Sequence, residues 1–288
     1  MPARRTGARR RPSKRRRLLV PATVIAVLGL AVGVAGVVEA LGGFPAPSLA
    51  DAPRGHAANV TPSGGIASPS TAASAVGVSP SPSAAVPPEP VTYPMVGPRT
   101  WRTAGGRSPV LGTSGQLLRF RISVENGIAG ITPEEFADVA VATLGDKRSW
   151  TGDGRWRLQR VGPNESAAFT IYLATPATRD QLCDEGFDRY TSCRNGNSVV
   201  INVARWAHGV PNYGAPLADY QQYVINHEVG HRLGQGHQLC PGPGKLAPVM
   251  QQQTLGMHGC KPNPWPMQNG KFYAGRSGQY NDPIPDPN

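Results

Sequence analysis

Apolar and polar positions divide this chain into three regimes. Leu18 to Val38 is a 21-residue apolar run without a single charge, long enough to cross a bilayer as a helix. Residues 42–91, typified by SPSTAASAVGVSPSPSAAVPPEP, offer almost nothing large to bury. That composition predicts a solvated, partly extended tether. From about residue 92 the pattern becomes periodic and has the length of one ordinary domain. Leu117 to Val124 (LLRFRISV) alternates as a strand does, and Arg155 to Val161, Ala168 to Ala174 and Ser198 to Trp206 read as three more. A helix is expected over Thr132 to Leu144, with Thr132 as cap, Pro133 at the first position and Glu135 closing a capping box. A second is expected from about Asp219 to Leu233, with Asp219 as cap and Gly234 as terminator. Beyond Cys240 the chain is rich in Gly, Pro, Asn and Gln and should be irregular. Strand, helix, three strands, helix and loop in that order describe an α+β domain.

Charge places the N-terminal regime. Nine of the 29 Lys and Arg residues fall in residues 1–17, which carry no acid, so the remaining 20 face 18 acidic residues. A nucleic-acid binder needs its positive charge on the folded surface, and here it sits on a terminal tail. No nucleic-acid partner is expected. Basic residues ahead of an apolar span put the N-terminus inside and the bulk of the chain outside. Residues 18–41 are thus a transmembrane signal-anchor or a signal peptide, with Val38-Glu39-Ala40 and Ser48-Leu49-Ala50 as weak cleavage sites. Arg15-Arg16 faintly resembles a twin-arginine export signal. Each version exports residues 92–288, which carry all four cysteines. Three pairings are open, and short local loops favour Cys183 with Cys193 and Cys240 with Cys260.

Chemistry concentrates in INHEVGHRLGQGHQLC, Ile225 to Cys240, which holds three of the six histidines. On the second helix His227 and His231 lie one turn apart on one face and can grip a single ion. Ile225, Val229 and Leu233 occupy the opposite side and should pack on the sheet. Glu228 is placed to reach the ion's open side. In a continued helix His237 would sit about 15 Å beyond His227, so the helix must stop, and Gly234 is where a left-handed residue can turn the chain back. Three neutral imidazoles leave one tetrahedral position of a zinc ion open, the arrangement of a catalytic site. Cys240 could ligate as a thiolate, but in an oxidising compartment a disulfide is the better use. His56, His208 and His258 read as tether or loop residues.

These residues match H-E-x-x-H-x-x-G-x-x-H at every specified position, and the stretch resembles the metzincin metallopeptidases. The resemblance is sharp over residues 219 to 250 and loose upstream. The layout of basic tail, apolar segment, tether and HQLCPGPG ahead of PVMQQQT is similar to exported metzincin-like proteins of actinobacteria. The resemblance implies a twisted mixed sheet, an active-site helix, an irregular C-terminal subdomain and one catalytic Zn2+ on His227, His231 and His237. It implies Glu228 as general base, a methionine beneath the metal, for which Met250 fits and Met257 is the rival, and a peptide substrate lying along an upper edge strand, for which Ser198 to Trp206 is the candidate. Gln252 stands where some members carry a tyrosine that supports the transition state, so no such role transfers. The expected function is a zinc-dependent extracytoplasmic endopeptidase acting as a monomer on peptide or protein substrates. A zinc amide hydrolase acting on cell-wall material and a non-catalytic surface binding module are the alternatives.

Overall fold

The computed structural model describes residues 89–287; the basic tail, the apolar run at 18–41 and nearly all of the 42–91 tether lie outside the described residues. Among the described residues no helix is long and apolar enough to cross a membrane. The domain is α+β, built on a six-stranded mixed sheet. Its longest strand, β2 (Gln116–Glu125), follows β1 (Trp101–Thr103) and pairs with it in antiparallel register, Trp101 opposite Glu125. Next come α1 (Pro133–Gly145), a 3-10 turn at Trp150–Asp153, β3 (Trp156–Arg160) and β4 (Phe169–Ala174). Both β3 and β4 run parallel to β2, with β3 beside its first half and β4 along its second. After α2 (Pro176–Cys183) the chain forms β5 (Cys193–Asn195) and β6 (Ser198–Asn202). Strand β6 is parallel to β4 and antiparallel to β5, which leaves β5 at the edge. Two helices, α3 (Val203–His208) and α4 (Leu217–Arg232), and a two-stranded ribbon, β7 (Met267–Gln268) with β8 (Lys271–Phe272), complete the order.

Period-two alternation assigns the two faces of the sheet. Phe120, Ile122 and Val124 of β2, Ile171 and Leu173 of β4, and Val199 and Ile201 of β6 join Phe136, Ala140 and Leu144 of α1 and Val224, Ile225 and Val229 of α4 in the main core. The other face is smaller: Ala174 and Val200 pack there with Cys183 and Cys193. Burying a residue such as Ile171 or Leu173 is worth roughly 1.5–3 kcal/mol, so the sheet firmly positions the helix laid across it.

Thr132 caps α1 as expected: its hydroxyl accepts from Glu135 N at 3.1 Å while the Glu135 carboxylate accepts from Thr132 N at 2.7 Å. Four expectations need correction. The helix placed at Asp219–Leu233 starts at Leu217 behind Pro216, and Asp219 lies in its first turn, where its charge favours the helix N-terminus without capping it. The strand expected to run to Trp206 ends at Asn202, whose side chain accepts from Ala204 N at 3.0 Å and starts α3. Apolar residues after Asn202 thus follow a helical period, and Trp206 meets Phe136 edge-on at 4.8 Å. His208, read as a loop residue, closes that short helix. Finally, Ser198–Asn202 is flanked on both sides, so the exposed edge belongs to β5.

All four cysteines are paired, Cys183 with Cys193 and Cys240 with Cys260, at Cα separations of 6.0 and 5.9 Å. Both close the short loops the spacing favoured. Two disulfides in a domain of this size suggest an exported protein.

Candidate metal centre

Helix α4 carries His227, Glu228 and His231 and then ends in a closed turn. Gln235 N donates to Gly230 O at 2.9 Å and Gly234 N to His231 O at 3.1 Å, with Gly234 at φ +88°. This paired-bond ending needs a left-handed residue at the second position past the helix, which glycine adopts cheaply. The turn brings His237 back beside the helix. Its Nε2 lies 3.1 Å from His231 Nε2, which is 3.1 Å from His227 Nε2. All three ligand atoms lie within 4.8 Å of one another.

The other ring nitrogens show what these three can do. His227 Nδ1 faces Val249 O at 2.8 Å, His231 Nδ1 faces Gln235 O at 2.9 Å, and His237 Nδ1 faces Gln279 Oε1 at 2.8 Å. A carbonyl oxygen only accepts, so each Nδ1 carries the hydrogen and each Nε2 keeps a bare lone pair. Three lone pairs converge with no proton between them. That is repulsive unless a cation lies among them, and it is the donor set of a borderline-soft divalent ion such as zinc. Tetrahedral zinc with bonds of about 2.05 Å holds its nitrogens about 3.3 Å apart, close to the 3.1 Å that separates His231 Nε2 from each of the other two. Burial, with help from the neighbouring histidines, pushes His227 well below the ordinary imidazole range and His231 down to about 4, which keeps these rings neutral.

Glu228 points from the same turn into a cleft of about 450 Å³ that the three histidines also line. Its Oε2 is buried and has no hydrogen-bond partner. Burial pushes this carboxyl up to about 8 against the opposing pull of Arg179. One wall of the cleft is the loop after α2, with Glu185, Asp188 and Thr191. Arg179, 1% exposed, holds that loop through Asp188 at 2.8 Å and Thr191 at 2.8 Å. Gln252, Thr254 and Leu255 also line the cleft.

Met250 is fully buried behind α4, with its backbone oxygen accepting from Gln238 N at 3.0 Å. A Cβ on Gly230, between the two helical histidines, would meet Met250 Sδ at 2.5 Å. Met257 is only partly buried at the margin of the core, so Met250 is the methionine against this helix. Cys240 is committed to its disulfide and His258 to a hydrogen bond with Asp282 at 2.8 Å. Neither is among the residues that line the cleft.

A family model described as "Protein of unknown function (DUF3152)" matches residues 87–263 of the 288. The chain belongs to that family. The DUF3152 match takes in the histidines, Glu228, Met250 and all four cysteines, and ends before Gln279. No curated protein and no solved structure matches the chain.

Sequence reasoning missed the three acceptors behind the histidines. Gln235 could have been found, because the paired-bond ending at Gly234 aims its carbonyl back at the last turn. Val249 and Gln279, 22 and 42 residues from their histidines, left no local signal.

Proposed function

We propose that this chain is an extracytoplasmic zinc-dependent endopeptidase of the metzincin type, with His227, His231 and His237 as ligands and Glu228 as general base. The observation that carries the reading is the pairing of three convergent, proton-free Nε2 atoms with a buried, unpartnered Glu228 oxygen in one cleft. Zinc, when bound, supplies Lewis acidity, polarising a carbonyl and making water a competent nucleophile near neutral pH. The positive charge of a bound cation would favour the ionised form of the Glu228 carboxyl, which burial alone pushes up to about 8, and its Oε2 would then accept the proton of the attacking water and return it to the leaving amine nitrogen. Val249 and Gln235 hold the helical imidazoles as Nδ1–H tautomers throughout. Arg179 and Asp188 keep the cleft wall in place.

The exposed edge of β5, whose Cys193 and Arg194 line the cleft, is the natural seat for an extended peptide, which would add a strand to the sheet. It replaces Ser198–Trp206 in that role. A retained scaffold without catalysis leaves the buried, unpartnered oxygen of Glu228, beside the three histidines, without a role. Tethering or export through residues 18–41 belongs to this proposal on the strength of the sequence.

The test is cleavage of a peptide mixture by the purified full-length protein, with and without a chelator and after zinc is restored. Peptide cleavage that the chelator abolishes and zinc returns supports the reading. Cleavage indifferent to chelation, or release of fragments from cell-wall material but not from peptides, overturns it.

A further inference from the structure

His227 and His231 are held by backbone carbonyls, which no side-chain change removes. His237, the one ligand off the helix, is held by a side chain from a distant segment. Residues 275–282 lie alongside the His237 loop in strand-like fashion: Gly275 N donates to Gln238 Oε1 at 3.0 Å, Leu239 N to Arg276 O at 2.9 Å and Gly278 N to His237 O at 3.0 Å. Gln238 and Ser277 form an antiparallel bridge. Gly278 reaches φ +144° there, where an added Cβ would come within 3.2 Å of the Leu239 side chain. Just beyond, Tyr280 stacks on His258, which pairs with Asp282. This anchoring sets Gln279 Oε1 at 2.8 Å from His237 Nδ1.

We propose that Gln279 is a positioning residue of the metal centre: its amide oxygen, delivered by the docked 275–282 segment, fixes His237 as the Nδ1–H tautomer and keeps its Nε2 on the other two ligands. The inference rests on the metal reading above and extends it to a residue outside the family match. Were the amide nitrogen to face Nδ1, the hydrogen would move to Nε2 and His237 would donate to His231 instead of ligating. Acceptors behind metal-bound histidines set ring orientation and ligand basicity, and losing one typically costs about 10- to 100-fold in metal affinity.

The experiment measures zinc affinity by chelator competition, and the visible absorption of the cobalt-substituted protein, for the full-length wild type, Gln279→Met and Gln279→Glu. Methionine keeps the length and removes the acceptor; glutamate keeps an accepting oxygen. The expected result is at least about tenfold weaker zinc binding and an altered cobalt spectrum for Gln279→Met, with Gln279→Glu at or above wild-type affinity. Melting of the metal-free proteins checks that each variant folds, and Gln279→Ala replaces the Met variant if that one does not. Wild-type affinity and spectrum in the Met variant would overturn the proposal alone. So would equal weakening in the Met and Glu variants, which would assign the residue to docking the segment. A wild type that holds neither zinc nor cobalt removes the metal reading and this proposal with it.

Discussion

Gly230 and Met250 are in direct register: a Cβ on Gly230 would stand 2.5 Å from Met250 Sδ and 2.6 Å from Trp150 Cζ2. Glycine within a helix ordinarily costs about 1 kcal/mol relative to alanine. Here the missing side chain lets Met250 and the Trp150 ring close on the helix between His227 and His231. Gly230→Ala should therefore destabilise the metal-free protein by about 1–3 kcal/mol through overpacking. Denaturant unfolding of both proteins measures it, and a more stable alanine variant would contradict the packing described.

Glu228→Gln preserves size and removes the proton acceptor. Zinc content should stay at one per chain, while peptide cleavage falls by at least about a hundredfold. Metal analysis alongside kcat/KM separates the two effects. Equal cleavage by wild type and variant would mean that another group takes the proton.

His237→Ala leaves two ligands on the helix and an open third position. Weaker zinc retention during dialysis against a chelator is the expected result, with helix content by circular dichroism unchanged because the stop at Gly234 is made by backbone bonds. Undiminished retention would show that the returned histidine is not a ligand.

Replacing Cys240 and Cys260 together with alanine should lower stability by roughly 3 kcal/mol, from the entropy of a 20-residue loop. The loop contains Val249 and Met250, so zinc affinity should fall as well. Thermal unfolding and competition titration give the two numbers; unchanged affinity would mean the loop holds its shape without the bond.

The sequence was most readable where a local rule decides the geometry. The spacing of His227, His231 and His237 with Gly234 needs only the helical repeat and one left-handed residue, and Thr132 with Glu135 needs only the first turn of a helix. Reading failed where a single side chain changes the rule. Asn202 ends β6 and opens α3 within a run, SVVINVARW, whose apolar residues suit either period. Helix α2 is eight residues with a mostly polar surface, too short for a pattern to declare itself. Val249 and Gln279 reach the site only through tertiary folding, which pairwise spacing does not encode.

Two parts of the cleft lining lie within covalent rings. The loop closed by Cys183 and Cys193 carries Glu185, Asp188 and Thr191, and the one closed by Cys240 and Cys260 carries Gln252, Thr254 and Leu255. All three histidines lie outside both rings. Redox state therefore acts first on the groove and reaches the histidines only through Val249, whose carbonyl holds His227 from inside the second ring: a thiol reductant would loosen the segments that receive a substrate while leaving the helix and turn that carry the imidazoles in place. Proteolytic nicking confined to 184–192 and 241–259 after reduction, with the stretch from 217 to 237 still protected, is the pattern this division of labour produces.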